Sequence, residues 1–115
     1  MAEETPPMRA PWGDIAPDLT RITDQVLFDE VWRRPGLGSR DRSLVTIACL
    51  ISLYRQNELP FHLGKALENG VTREEIIEVV THLAFYSGWP TAGTALGVVR
   101  KVFGDTDAGA AAIKP

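Results

Sequence analysis

Glu58 and His62 stand four residues apart in a stretch that reads as a helix, so both side chains lie on one helix face. A carboxylate there can hold the imidazole in one tautomer and raise its pKa, a common way to build an acid–base histidine. Arg55 lies just before this stretch, and its planar guanidinium can take a substrate carboxylate through two parallel hydrogen bonds. An exposed Glu–His pair worth about 0.3–0.5 kcal/mol would show the same spacing with no chemistry attached.

A second set, Glu78, His82 and Tyr86, repeats the four-residue spacing. The apolar neighbours Ile77, Val79, Val80, Leu83 and Phe85 make His82 a core-edge residue bonded to Glu78, or alternatively a group that reaches a ligand. Tyr86 and Trp89 are packing residues or substrate contacts on the same grounds. Arg42 sits early on a nearly all-apolar segment, where a guanidinium needs an anionic partner, either a protein carboxylate or a substrate. Cys49 reads as a small buried hydrophobe, because no neighbouring cation would lower its pKa. One cysteine excludes an internal disulfide, a dithiol redox pair and a multi-cysteine metal site, and two histidines leave little for any other metal site.

Five helical segments would position these groups, and no strand is convincing. The first, about 18–33, carries Leu19, Ile22, Val26 and Leu27 at helical spacing and stops at Pro35-Gly36. The second, about 40–54, follows a candidate cap at Ser39 and is apolar on nearly every side. Such a helix must be covered all round, so another subunit is expected to supply part of the cover. The third, about 58–69, is capped by Asn57, tolerates Pro60 in its first turn and ends at Asn69-Gly70. Thr72-Arg73-Glu74-Glu75 is a capping box that opens the fourth, about 73–87. Gly88 breaks it, and Pro90 starts the fifth, which ends near Gly104 and carries Ala92, Gly93, Ala95 and Gly97 for close helix approach.

The 115 residues suit one domain. Residues 1–17, with Pro6, Pro7, Pro11 and Pro17, are expected to form an extended arm, 18–104 the helical body, and 105–115 a flexible tail. A net charge of −3 gives no basic footprint for nucleic acid or an anionic membrane. No apolar run is long enough to span a bilayer, and the acidic N-terminus lacks the order of a signal peptide. The cytoplasm is the expected compartment.

Several stretches together resemble the carboxymuconolactone decarboxylase family. They are Trp32-Arg33-Arg34-Pro35-Gly36-Leu37, then Arg42 to Ala48, then Glu58-Leu59-Pro60-Phe61-His62. Ala66 to Ile76 and His82 to Gly88 continue the pattern, so the likeness covers about residues 18–104. The resemblance implies an all-α protomer of about five to six helices with the alkylhydroperoxidase D-like fold, assembling into a trimer or hexamer. One branch of that superfamily reduces disulfides through Cys-x-x-Cys-x-x-x-His. Here His62 matches the histidine, but Arg55 and Glu58 fill the cysteine positions, which excludes dithiol peroxidase chemistry.

The decarboxylase branch implies a cofactor-independent enzyme of aromatic-compound catabolism, which converts γ-carboxymuconolactone to an enol-lactone and CO2. Loss of CO2 from the γ carbon pushes electrons through the alkene to the lactone carbonyl and leaves a dienolate. A donor must meet the oxygen where charge develops, and an acid must protonate the α carbon. On this pattern His62 is the donor or the acid, held by Glu58, and Arg42 and Arg55 clamp carboxylates. His82, Tyr86 and Trp89 are expected beside the substrate. Two departures stand out. Trp89 occupies a position where decarboxylases more commonly carry a small aliphatic residue, and Tyr54-Arg55-Gln56 replaces a glycine-containing turn. Two alternatives remain at this level. One is an isomerase or dehydratase on the same scaffold, and the other is a non-catalytic oligomeric binding protein.

Overall fold

The computed structural model describes residues 8–113, with side-chain detail to residue 105. All regular structure among them is helical: α1 (Pro17–Ile22), a π turn (Thr23–Phe28), a 3₁₀ turn (Val31–Arg33), α2 (Ser39–Ser52), α3 (Leu59–Glu68), α4 (Arg73–Ser87) and α5 (Trp89–Ile113). The chain divides into two compact units, Met1–Arg42 and Ser43–Pro115.

In the first unit the expected single helix over 18–33 is three pieces. Backbone pairing loosens at the π turn, where the Asp29 N–H donates to the Asp24 carbonyl five residues back. The side chains of both aspartates are engaged by the proline-rich arm. The Ala10 N–H donates to Asp24 Oδ1 at 2.8 Å, and Arg9 pairs with Asp29 at 3.0 Å. The described part of the arm is therefore tied down, while Pro6 and Pro7 lie outside the described residues. Leu19, Ile22, Val26 and Leu27 are all exposed in the single chain.

The second unit holds the core. Ile47 and Ile51 of α2, Leu59, Leu63 and Ala66 of α3, Ile76, Val80 and Ala84 of α4, and Ala92, Ala95 and Val99 of α5 are buried together. The spacing is three or four residues in every helix, so each contributes one face. α5 packs against α3 and α4. Its small residues divide by face: Ala92 and Ala95 are buried, whereas Gly93 and Gly97 are exposed. The buried Ser43 hydroxyl accepts from Asn69 Nδ2 at 3.0 Å, tying the start of α2 to the end of α3.

The ends of α3 and α4 follow local rules. Pro60 falls in the first turn of α3. The Thr72–Glu75 capping box forms in full, with the Glu75 N–H bonded to Thr72 Oγ1 at 3.0 Å and the Thr72 N–H to Glu75 Oε1 at 2.9 Å. Three expectations differ. The N-cap of α3 is Glu58 rather than Asn57, without a side-chain cap bond. α5 does not stop at Gly104 but runs to Ile113, because the alanine-rich residues that follow favour helix. Cys49 is exposed rather than buried, because it lies on the side of α2 opposite Ile47 and Ile51.

Candidate functional site

α3 turns Leu59, Leu63 and Ala66 into the core, which sets His62 at the edge of that buried face. The imidazole is half-buried, and Nδ1 is shielded from solvent. The Phe61 ring meets it edge-on, with centroids 5.0 Å apart. Burial pushes the His62 pKa below the usual imidazole value; Glu58 pulls it upward and Lys65 adds to the lowering. Glu58 by itself would raise the pKa, as its four-residue spacing from His62 implies. Glu58 is exposed and screened by water, so desolvation wins. The imidazole is accordingly neutral at pH 7, with one N–H donor and one acceptor nitrogen.

Lys65 is the residue that sequence reasoning missed. It lies three positions beyond His62 and is buried, with its ammonium 3.1 Å from Glu68 Oε1. A lysine in a helix is ordinarily read as solvent-facing, and only the periodicity Glu58, His62, Lys65 at four and three residues hinted otherwise.

Arg55 follows a tight helix end. The Arg55 N–H donates to the Leu50 carbonyl at 2.8 Å and the Tyr54 N–H to the Ile51 carbonyl at 3.1 Å, the paired bonds of a Schellman motif. That motif needs a left-handed residue, and Tyr54 supplies it with φ 61°. Arg55 and Tyr54 line a small pocket with Gln56, Thr91 and Thr94, with room for about one water. His62 is not part of its wall. A wider groove runs beside it, where Asn57 and Pro60 face Gly93, Gly97 and Lys101 of α5.

The other expected residues are placed as follows. Arg42 is half-buried and its guanidinium meets backbone carbonyls: Nε donates to Leu37 at 2.9 Å and Nη2 to Arg34 at 3.2 Å. These bonds tie the Pro35–Gly38 loop to the first turn of α2. His82 is exposed, not at the core edge, because Val80 and Ala84 take the inward side of α4. It stacks on Tyr86 at 4.8 Å, and Phe85 meets Trp89 edge-to-face at 4.9 Å. Tyr86 and Trp89 are strongly exposed. Among the described residues no group of three or more His, Cys, Asp or Glu side chains is placed to hold a metal ion, and no helix is long and apolar enough to cross a membrane.

Comparison with known proteins gives a consistent result. The family model of the carboxymuconolactone decarboxylase family matches residues 17–101. The 4-carboxymuconolactone decarboxylase of Acinetobacter baylyi is 40% identical over 93 residues, covering 81% of this chain and 69% of the relative. The nitrosuccinic acid decarboxylase of Metarhizium robertsii is 43% identical over 75 residues, covering 65% of this chain and 52% of the relative. An uncharacterised 15.0 kDa protein of Paracoccus denitrificans is 26% identical over 95 residues, covering 81% and 71%.

Proposed function

The chain belongs to the carboxymuconolactone decarboxylase family, and on that premise we propose that it is a cofactor-independent decarboxylase of a small anionic substrate, with γ-carboxymuconolactone as the leading compound. The observation that carries the reading is His62: a half-buried imidazole held neutral by desolvation, one turn from a carboxylate.

A neutral imidazole suits the first half of the reaction. As the C–C bond to the departing carboxylate breaks, its electron pair runs through the alkene to the carbonyl oxygen. An N–H donor aimed at that oxygen stabilises the charge where it develops. Nδ1 is shielded, so Nε2 is the nitrogen we assign to this contact. Glu58, four residues earlier, orients the ring. Protonation of the α carbon completes the enol-lactone, with His62 as the acid and water replacing the proton that it gives up. Arg55 is the proposed anchor for a second carboxylate that stays on the product. The carbonyl bonds of Arg42 support a role in holding the 35–38 loop, ahead of the substrate clamp expected for it. His82, Tyr86 and Trp89 face outward in the single chain, so a substrate would meet them only with a second surface closing over.

The two relatives named as decarboxylases define a substrate class. Carboxymuconolactone and nitrosuccinic acid each carry more than one carboxylate. Each also holds an oxygen-bearing acceptor, a conjugated lactone or a nitro group, that can take the electron pair. We extend that class to this chain, acting as a homo-oligomer in the cytoplasm. The test is CO2 release from a panel of γ-carboxymuconolactone, nitrosuccinate and a dicarboxylate without an acceptor. Turnover of the first with a silent third supports the reading. Turnover of nitrosuccinate alone moves the substrate and keeps the chemistry, and silence with all three overturns the reading.

A further inference from the structure

Lys65 is a buried charge for which the chemistry above has no use. The residue is 8% exposed, and Leu63 and Ala66 beside it on α3 are fully buried. Burying an ammonium costs free energy unless a partner compensates, and a hydrophobic residue of similar length would fill the same space without that cost. Its partner Glu68, with Oε1 at 3.1 Å, has a side chain 48% exposed. The carboxylate therefore keeps part of its hydration where the ammonium has given up most of its own. Water screens the anion more than the cation, so the pair leaves a net positive field around the buried end.

That field falls on His62. Side chains three or four residues apart on a helix have Cβ atoms about 5–6 Å apart. Glu58 stands four residues before His62, and Lys65 stands three after it. The half-buried ring thus lies between a carboxylate in water and an ammonium out of it. On α5, which packs against α3, the charged residues Arg100, Lys101 and Asp105 are exposed. On α4, Glu78 and His82 are exposed, Arg73 lies over the Phe103 ring, and Glu75 is bonded to the Thr72 N–H. Burial lowers the His62 pKa most; Glu58 then raises it, and Lys65 lowers it.

A carboxylate one turn away orients an imidazole and also draws a proton onto it. The reaction at His62 needs the first effect without the second, because its donor is the neutral ring. We propose that Lys65 is a positioning residue for that reaction: its buried ammonium, held by Glu68, is the counterweight that lets Glu58 orient the imidazole without charging it. Lys65 acts through His62 and does not touch the substrate. The inference rests on the role given to His62 above.

The test is proton NMR titration of the two histidine rings in the full chain, with His82→Gln to assign them, beside the pH profile of CO2 release. Lys65→Met keeps the length and burial of the side chain and removes its charge. The His62 titration then moves to higher pH, and the acid limb of kcat/KM moves with it, so turnover falls several-fold on the acid side and recovers as pH rises. Glu68→Gln leaves the ammonium uncompensated and moves both to lower pH; its half-exposed position keeps the test open should the Met variant fail to fold. Glu58→Gln with Lys65→Met titrates between the two single variants. A folded Lys65→Met protein whose ring titrates as in the wild type or at lower pH overturns the proposal. So does an acid limb that stays in place while the ring moves, or a Glu68→Gln protein with an unmoved ring. The ring titration uses no substrate. An inactive wild type whose ring responds to Lys65→Met overturns the catalytic reading alone, and an active one whose ring does not respond overturns this inference alone.

Discussion

Tyr54 should be the position where strain and packing oppose each other most clearly. Its φ of 61° places a Cβ in the left-handed region, at a cost of roughly 1–2 kcal/mol. Tyr54→Gly removes that cost but adds about 0.5–1 kcal/mol of backbone entropy, for a net gain near 0.5–1 kcal/mol. The ring is 48% exposed, so about 100 Å² of it is covered. Losing that cover costs about 2 kcal/mol, after allowing for a compact unfolded chain. Packing wins, and Tyr54→Gly is expected to be about 1 kcal/mol less stable than the wild type. Tyr54→Ala loses the ring and keeps the strain, so it should fall about 2 kcal/mol. The Gly variant should therefore exceed the Ala variant by about 1 kcal/mol, the reverse of their order inside a helix. Urea unfolding measures this as a shift in midpoint at constant slope. An Ala variant as stable as the Gly variant would refute the left-handed turn that presents Arg55.

Three further outcomes are expected. Thr72→Ala and Glu75→Ala should each cost about 1 kcal/mol, and the double variant should cost less than their sum because both break one capping box; thermal melts of the four proteins close the cycle. Ile76→Ala, at a fully buried position, should lose about 2–5 kcal/mol in urea titration, and a loss under 1 kcal/mol would mean that the core packs differently. His62 has a pKa lowered in the folded state, so the unfolded chain binds the proton more readily. Its contribution to stability is whole above the usual value of about 6.5 and is lost as pH falls from there through the lowered pKa. His62→Gln should flatten that part of the urea-midpoint profile, and an unchanged acid slope would count against burial of the ring.

What could be read from the chain was what is local. The limits of α4 and the end of α3 were legible because the Thr72–Glu75 box and Asn69-Gly70 act within one turn. The all-helical class was legible in helical spacings and caps, and the family in ordered motifs spread over the body. The 18–33 segment was misread because its shape depends on the arm, through Arg9 on Asp29 and Ala10 on Asp24, contacts that no periodicity reveals. The expected end at Gly104 trusted a glycine over the alanines beyond it. At the site, residue types pointed to His62, yet the direction of its pKa came from tertiary burial, which outweighs a carboxylate in water. Lys65 escaped because lysine burial follows from the neighbours of α3, not from its own sequence position. The exposure of Tyr86, Trp89 and Cys49 belongs to the single chain, and it is what an oligomer would change.

The central claim is that neutral His62 drives loss of CO2 from a carboxylated lactone. Its most direct test is the turnover number for CO2 release from γ-carboxymuconolactone by wild type and His62→Ala, with matched thermal melts. The account predicts turnover by the wild type and a fall of at least about 100-fold in the variant, the scale of losing one donor or acid–base group. A folded His62→Ala protein that turns over at the wild-type rate would contradict it.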